Sequence, residues 1–126
     1  MAQGAAEIEV AATPEAAWAL VGTFDNLAEW MPGIEGLVME DDVRILSVGP
    51  MEIRERLVSV DDAAMTLTYS VFEGVPVEAH EATITVTPSG SGAKIVWAYD
   101  VTPDEMVGLF AGTYQGALDA AKARLE

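Results

Sequence analysis

Between Gly36 and Thr102 the chain alternates apolar and polar residues with a period of two, and Gly, Pro, Asp or Ser interrupts the alternation at short intervals. No other feature constrains the fold as much, because only a strand sends successive side chains to opposite faces, whereas a helix repeats every three to four residues. LVME and VRILSV flank an acidic turn at Asp41 and Asp42, MEIRERLVSV follows the turn from Val48 to Pro50, and MTLTYSVF follows DDAA. EAHEATITVT then comes after GVP, and AKIVWAYDVT after PSGSG. Each break carries the residues that tight turns demand. The segment predicts six strands in an antiparallel meander, one face buried and the other wet.

The flanks read differently. AEIEVAA alternates weakly and predicts a strand over Ala6 to Ala11. A short helix follows in TPEAAWALVG, with Thr13 as cap, Pro14 in the first turn and Gly22 at the exit. Phe24 to Glu29 predicts a second brief helix, capped by Asp25 and stopped by Pro32. Trp30, Met31 and Pro32 must cover something, whether one end of the core or another apolar surface, since a tryptophan ring is costly to leave in water. After the meander, Thr102 and Glu105 have the spacing of a capping box and Pro103 that of a first helical position. Val107, Phe110, Ala111, Tyr114, Leu118, Ala121 and Leu125 then recur at helical spacing, with Lys122 and Arg124 near the negative end. Gly108, Gly112 and Gly116 interrupt this helix at intervals of four. Two readings fit them: close backbone packing, or space for a ligand beneath the helix.

At 126 residues the chain predicts one domain spanning 1–126, large enough for a single core. Six Lys plus Arg against 21 Asp plus Glu give a net charge of -15, which repels phosphate backbones and anionic lipid surfaces. Nucleic acid is therefore not an expected partner. No apolar run approaches the roughly 18 residues of a membrane span, and no basic start precedes an apolar block, so membrane insertion is not expected and a cytoplasmic location is. Without cysteine there is no thiolate chemistry, and one histidine, His80, cannot make a two-histidine metal site. Neither a metal nor an organic cofactor is expected. SGSG at Ser89 to Gly92 is a hairpin turn, not a nucleophile elbow, and no Gly-rich phosphate loop opens a helix.

The order of strand, two short helices, six antiparallel strands and a long last helix resembles the START and Bet v 1-like (SRPBCC) superfamily, within it the bacterial polyketide cyclase/dehydrase-like and lipid-transport-like group. The resemblance runs through IEVAATPEAAWALVGTFDNLAEWMPGI, ERLVSVDDAAMTLTYSV, VPVEAHEATITVTPSGSGAKIVWAYDV and the closing YQGALDAAKARLE. It implies an α+β helix-grip fold, in which a curved antiparallel sheet of about seven strands wraps around the C-terminal helix and a ligand cavity lies between them. In such an arrangement Trp30, Met31 and Pro32 would cover the cavity's rim, the alternative being that Trp30 plugs one end of the core. The resemblance does not imply a single activity, because one fold hosts many.

Alternation sorts the sheet residues by face. Ile95, Trp97, Tyr99 and Val101 share the inner face, as do His80, Ala82, Ile84 and Val86; Met65, Leu67, Tyr69 and Val71; and Met51, Ile53, Glu55 and Leu57. The turns suggest a register in which Glu55 lies opposite Tyr69 and Tyr69 opposite His80, one row with neighbours about 5 Å apart. Glu55 and His80 are candidate proton-exchanging groups, with Tyr69 as hydrogen-bond donor to a developing oxyanion. The expected ligand contacts are Ile53, Leu67, Trp97 and Tyr99 from the sheet, Phe110 and Tyr114 from the helix, and Trp30 at the rim. The bland alternative is that His80 is a satisfied core residue and that Glu55 hydrogen-bonds Tyr69 or an arginine. Three functions fit: a cofactor-free enzyme catalysing cyclisation, dehydration or isomerisation of a small hydrophobic or aromatic molecule; a carrier or sensor of such a molecule; or an interaction domain with a filled interior. A monomer or a homodimer is expected.

Overall fold

Three two-residue hairpins set the sheet, and each is visible in its turn residues. The computed structural model describes residues 2–126. Strands β2 (Gly36–Glu40) and β3 (Val43–Val48) are joined at Asp41, which holds a left-handed backbone that aspartate tolerates. Gly49 and Pro50 join β3 to β4 (Met51–Asp61), and Gly90 and Ser91 join β6 (Ala79–Ser89) to β7 (Gly92–Thr102). The two connections of β5 (Thr66–Glu73) are longer, through Asp62 to Met65 on one side and Gly74 to Glu78 on the other.

The result is one seven-stranded antiparallel sheet in the order β1-β7-β6-β5-β4-β3-β2. Strand β1 spans Ala2–Val10 rather than starting at Ala6, because it pairs with β7 along its full length, from Ala2 opposite Val101 to Val10 opposite Ala93. Helix α1 (Pro14–Val21) begins as its sequence predicts, with the Thr13 side chain accepting from the Ala16 N–H. It is too short to persist alone, and its buried Ala17, Trp18 and Val21 bind it to the core. Phe24 to Asn26 form a 3-10 turn, not the start of an α-helix; helix α2 is only Leu27–Trp30, and no side chain caps either piece.

The predicted capping box at Thr102 and Glu105 does not form. Thr102 is the last residue of β7, Asp104–Met106 make an uncapped 3-10 turn, and helix α3 runs Val107–Leu125. Pairing of Thr102 with Ala79 outcompetes the cap. Five hydrogen bonds fix the path of α3 along the concave face. The Tyr99 hydroxyl donates to the Val107 carbonyl (3.3 Å), Gln115 reaches Glu7 (3.5 Å), Lys122 reaches Glu9 (2.9 Å), Glu126 accepts from Ala11 N–H (2.9 Å) and Arg124 donates to the Glu29 carbonyl (2.9 Å). The helix therefore runs parallel to β1, its N-terminal end beside Tyr99 and its C-terminal end beyond Val10. No helix among the described residues is long and apolar enough to cross a membrane.

Both readings of the helix glycines fail. A β-carbon at Gly108, Gly112 or Gly116 would meet no atom within 4 Å, so all three face outward and neither pack tightly nor roof a ligand. Inward, the stripe of Phe110, Tyr114, Leu118 and Ala121 is buried as predicted.

Candidate functional site

Two bulges shape β4 where it meets β5. Arg54 pairs with Glu73 and Glu55 with Val71, which leaves Phe72 unpaired; Leu57 pairs with Tyr69 and Ser59 with Thr68, which leaves Val58 unpaired. Such bulges bend a strand and increase its twist. The predicted row of Glu55, Tyr69 and His80 is therefore incorrect: Tyr69 lies opposite Leu57 and Ala82, each two residues from the expected partner. Longer loops on both sides of β5 cause the displacement. A slip of two residues preserves the face, so all three side chains remain inside and buried.

Between the sheet and the first half of α3 lies a cavity of about 380 Å³, within the usual size for small-molecule sites. Its wall is predominantly apolar, from Leu46, Ile53, Val71 and Trp97 on the sheet to Phe110 on the helix, with Glu55, Tyr69 and Tyr114 as the main polar groups. Its mouth is formed by Met31 to Ile34, by Gly74 to Pro76, and by Leu109 and Thr113. Gly74 has a positive φ of 97°, and a β-carbon there would collide with the carbonyl of Glu52, so the rim needs glycine at that point. No residue of α3 beyond Tyr114 reaches the cavity.

Of the candidate residues, Glu55, Tyr69, Ile53, Trp97, Phe110 and Tyr114 line this space. Trp30 does not: it packs into the core with its ring 6.1 Å from that of Trp97, and its N–H donates to Asn26 (3.3 Å), while its neighbours Met31 and Pro32 form the rim. Leu67 is buried outside the lining. Tyr99 braces α3 from outside the cavity, edge-on to Tyr114 at 5.2 Å. His80 stands behind the wall, its ring 4.8 Å from Phe110.

The polar groups are tied into two systems. In the first, Trp97 Nε1 donates to Tyr69 Oη (3.2 Å), Tyr69 and Tyr114 share a hydrogen bond (2.9 Å), and Tyr114 Oη lies 2.9 Å from His80 Nε2. His80 Nδ1 accepts from the Val71 N–H (3.1 Å). Histidine and tyrosine therefore do meet: the rings of Tyr69 and His80 lie 5.7 Å apart across the sheet, and Tyr114 on the helix links them by hydrogen bonds. The indole of Trp97 stacks on Tyr114, centroids 4.1 Å apart and planes within 11°. Burial pushes His80 down to about 4, so the ring is neutral near pH 7. Burial, reinforced by the Glu55 charge, pushes the Tyr69 phenol far above its ordinary value, and burial likewise raises Tyr114.

The second system realises the alternative in which Glu55 bonds an arginine, although the sequence reading did not single out which arginine. Arg44 on β3 is buried opposite Glu55 and directs both Nε and Nη2 to the same carboxylate oxygen, Oε1, each at 2.6 Å. Its Nη1 donates to the Phe24 carbonyl (2.9 Å), and its guanidinium lies between the rings of Phe24 and Tyr69, 4.1 and 4.7 Å from their centroids. The signal was present in the sequence, because a Gly49-Pro50 hairpin that pairs Val48 with Met51 also sets Arg44 opposite Glu55. Every fully buried side-chain nitrogen and oxygen among the described residues has a partner. No donor among the described residues reaches Glu55 Oε2, so that oxygen touches open space, and the space beside Glu55 is the cavity.

The geometry has relatives. The family described as polyketide cyclase / dehydrase and lipid transport matches residues 1–126. No curated protein matches the chain. Among solved structures, the protein XoxI from Bacillus cereus is 29% identical with a TM-score of 0.94, over 99% of this chain and 96% of its own. A solution structure from Thermobifida fusca is 26% identical with a TM-score of 0.86, over 99% and 93%. Norcoclaurine synthase from Thalictrum, solved as a point mutant with a transition state analogue, has a TM-score of 0.74 over 98% and 93%; at 23% identity it shares the fold alone. With a family match over its whole length and a curved sheet gripping a long helix, the chain belongs to the polyketide cyclase/dehydrase and lipid-transport family.

Proposed function

We propose that this protein binds one small, mostly apolar molecule in the cavity between the sheet and the first half of α3, as a carrier or sensor. The observation that carries this reading is the coexistence of an open, largely apolar volume of about 380 Å³ with polar groups that are mostly committed to one another. A carrier needs space and a few fixed polar contacts. A proton-transferring enzyme needs a group free to gain and lose a proton near neutral pH. His80 has a donor seated on Nδ1 and a phenol on Nε2, and the phenols hold their protons tightly.

One observation favours a second reading. Glu55 lines the cavity and its Oε2 has no donor among the described residues, so Glu55 is the residue to act as a base in a cyclisation, dehydration or isomerisation. Tyr69 and Tyr114 would then donate to the developing oxyanion.

Native mass spectrometry of protein isolated from its own host tests both. A carrier leaves the host with a small molecule that is released chemically intact and rebinds. Purified protein that converts the released molecule, with the conversion abolished in Glu55→Gln, would establish the enzyme instead. Protein that emerges empty and takes up nothing from an organic extract of the host would overturn binding altogether.

A further inference from the structure

The hydrogen inventory of the cavity wall does not close. The Val71 N–H occupies His80 Nδ1, so the neutral ring carries its hydrogen on Nε2 and donates to Tyr114 Oη. Trp97 is a donor only and uses Tyr69 Oη. One phenolic hydrogen makes the bond between Tyr69 and Tyr114. Four hydrogens thus meet three contacts, and one phenolic O–H is left without an acceptor. If Tyr69 donates to Tyr114 the spare hydrogen is on Tyr114, and in the reverse case it is on Tyr69. Both phenols are at least 97% buried and both line the cavity, and no acceptor among the described residues is left for this hydrogen, so the cavity is the open space from which an occupant can supply one. A buried donor left without one costs about 1–3 kcal/mol.

The Glu55 side shows the opposite deficit. Both Arg44 donors converge on Oε1, and Oε2 is an acceptor awaiting a donor. Glu55 pairs with Val71, two residues from Tyr69 along β5, which makes Glu55 and Tyr69 diagonal neighbours on one wall, their backbones roughly 7–8 Å apart. Arg44 is unavailable to an anion, since its faces are covered by two rings and its edges by Glu55 and a carbonyl.

We infer that the cavity selects an uncharged molecule that presents a carbonyl or ether oxygen to the Tyr69–Tyr114 pair and a hydroxyl or N–H to Glu55, and that it rejects carboxylates such as free fatty acids. Tyr69, Tyr114 and Glu55 are thereby specificity-determining residues. The inference rests on the reading of the cavity as a ligand site, and a matched set of diphenyl probes separates the two.

Dissociation constants are measured by equilibrium dialysis for diphenylmethane, benzophenone, para-hydroxybenzophenone, para-methoxybenzophenone and diphenylacetate. Benzophenone should bind roughly 3–10-fold tighter than diphenylmethane, the hydroxy compound tighter again by a similar factor, and diphenylacetate at least about tenfold more weakly than benzophenone. The infrared carbonyl stretch of bound benzophenone should fall below its value in cyclohexane. In Glu55→Gln, Arg44 retains the amide oxygen and turns the amide N–H₂ toward the cavity, so the preference should invert from the hydroxy to the methoxy compound. If that variant does not fold, the unmodified protein still decides through the probe series and the carbonyl stretch. Equal binding of diphenylmethane and benzophenone, an unshifted stretch, or preferred binding of diphenylacetate would overturn this selectivity while leaving ligand binding intact. Failure of all five to bind would overturn both.

Discussion

The two ends of the space under α3 are built from the same sheet and the same helix, yet one is solid and the other hollow. Around the C-terminal half of α3, Ala117, Leu118 and Ala121 join Ala6, Val10, Ala93 and Ile95 in the buried core, with α1 packed against β6, β7 and α3. Small residues on β1 and β7 let the helix approach closely there. Around the N-terminal half the sheet carries Trp97, Tyr99, Tyr69 and the Arg44–Glu55 pair, and it meets the helix through large rings and the hydrogen bonds of Tyr69 to Tyr114 and of Tyr99 to Val107 rather than through small residues. The same half of α3 contains Gly108 and Gly112 on its outer side and Leu109, which is 54% exposed at the mouth. Close packing is thus concentrated at one end and open volume at the other, with the aromatic cluster and the Arg44–Glu55 pair as the pillars of the hollow end's wall.

The largest expected effect tests the pillars. Arg44→Met leaves Glu55 buried without its partner and should cost about 3–5 kcal/mol in urea unfolding, whereas adding Glu55→Leu should restore most of that. Similar losses in the single and double variants would show that the pair stabilises the wall by attraction rather than by mutual neutralisation.

Next comes the contrast between the ends. Leu118 is fully buried, and Leu118→Ala should cost about 2–5 kcal/mol, against less than about 0.5 kcal/mol for Leu109→Ala at the mouth. Comparable losses at both positions would mean that the hollow end carries as much of the fold as the solid one.

His80 gives a pH-dependent test. Its folded value of about 4 lies below the ordinary 6.5, so on acidification the unfolded chain takes up the proton first. The stabilisation is complete above about pH 6.5 and is lost as the pH falls toward 4, by at most roughly 3 kcal/mol. Unfolding curves of His80→Gln should lack this component, so the gap between variant and wild type should narrow with acid. A constant gap across that window would remove His80 from the wall's energetics.

The smallest effect concerns the roof. Gly112→Ala and Gly116→Ala should each raise stability by about 0.5–1 kcal/mol, because the added methyl meets no neighbour and alanine is the better helix former. A loss at either position in thermal melts would mean that the outward face is covered in solution.

Much of this was legible because it is local. Two-residue turns at Asp41, Gly49 and Gly90 fix three hairpins, and alternation assigns the inner faces of β5, β6 and β7. The partners across β5 were not legible, since loop length and the bulges at Val58 and Phe72 depend on how the whole sheet curves. Arg44 was missed because a charged residue at an alternating position reads as solvent-facing, although its hairpin already committed it to Glu55. The glycines of α3 misled for the converse reason: a repeat of small residues resembles a packing seam, and only the completed fold shows which side of the helix it occupies.

The pairing of β1 with β7 and α3 also has a temporal side. The first strand waits for partners synthesised roughly ninety residues later, so chain closure of this kind is slow to form. A nascent chain emerging from the ribosome has no roof until Phe110 and Tyr114 are in place, so the cavity closes only after translation has passed them.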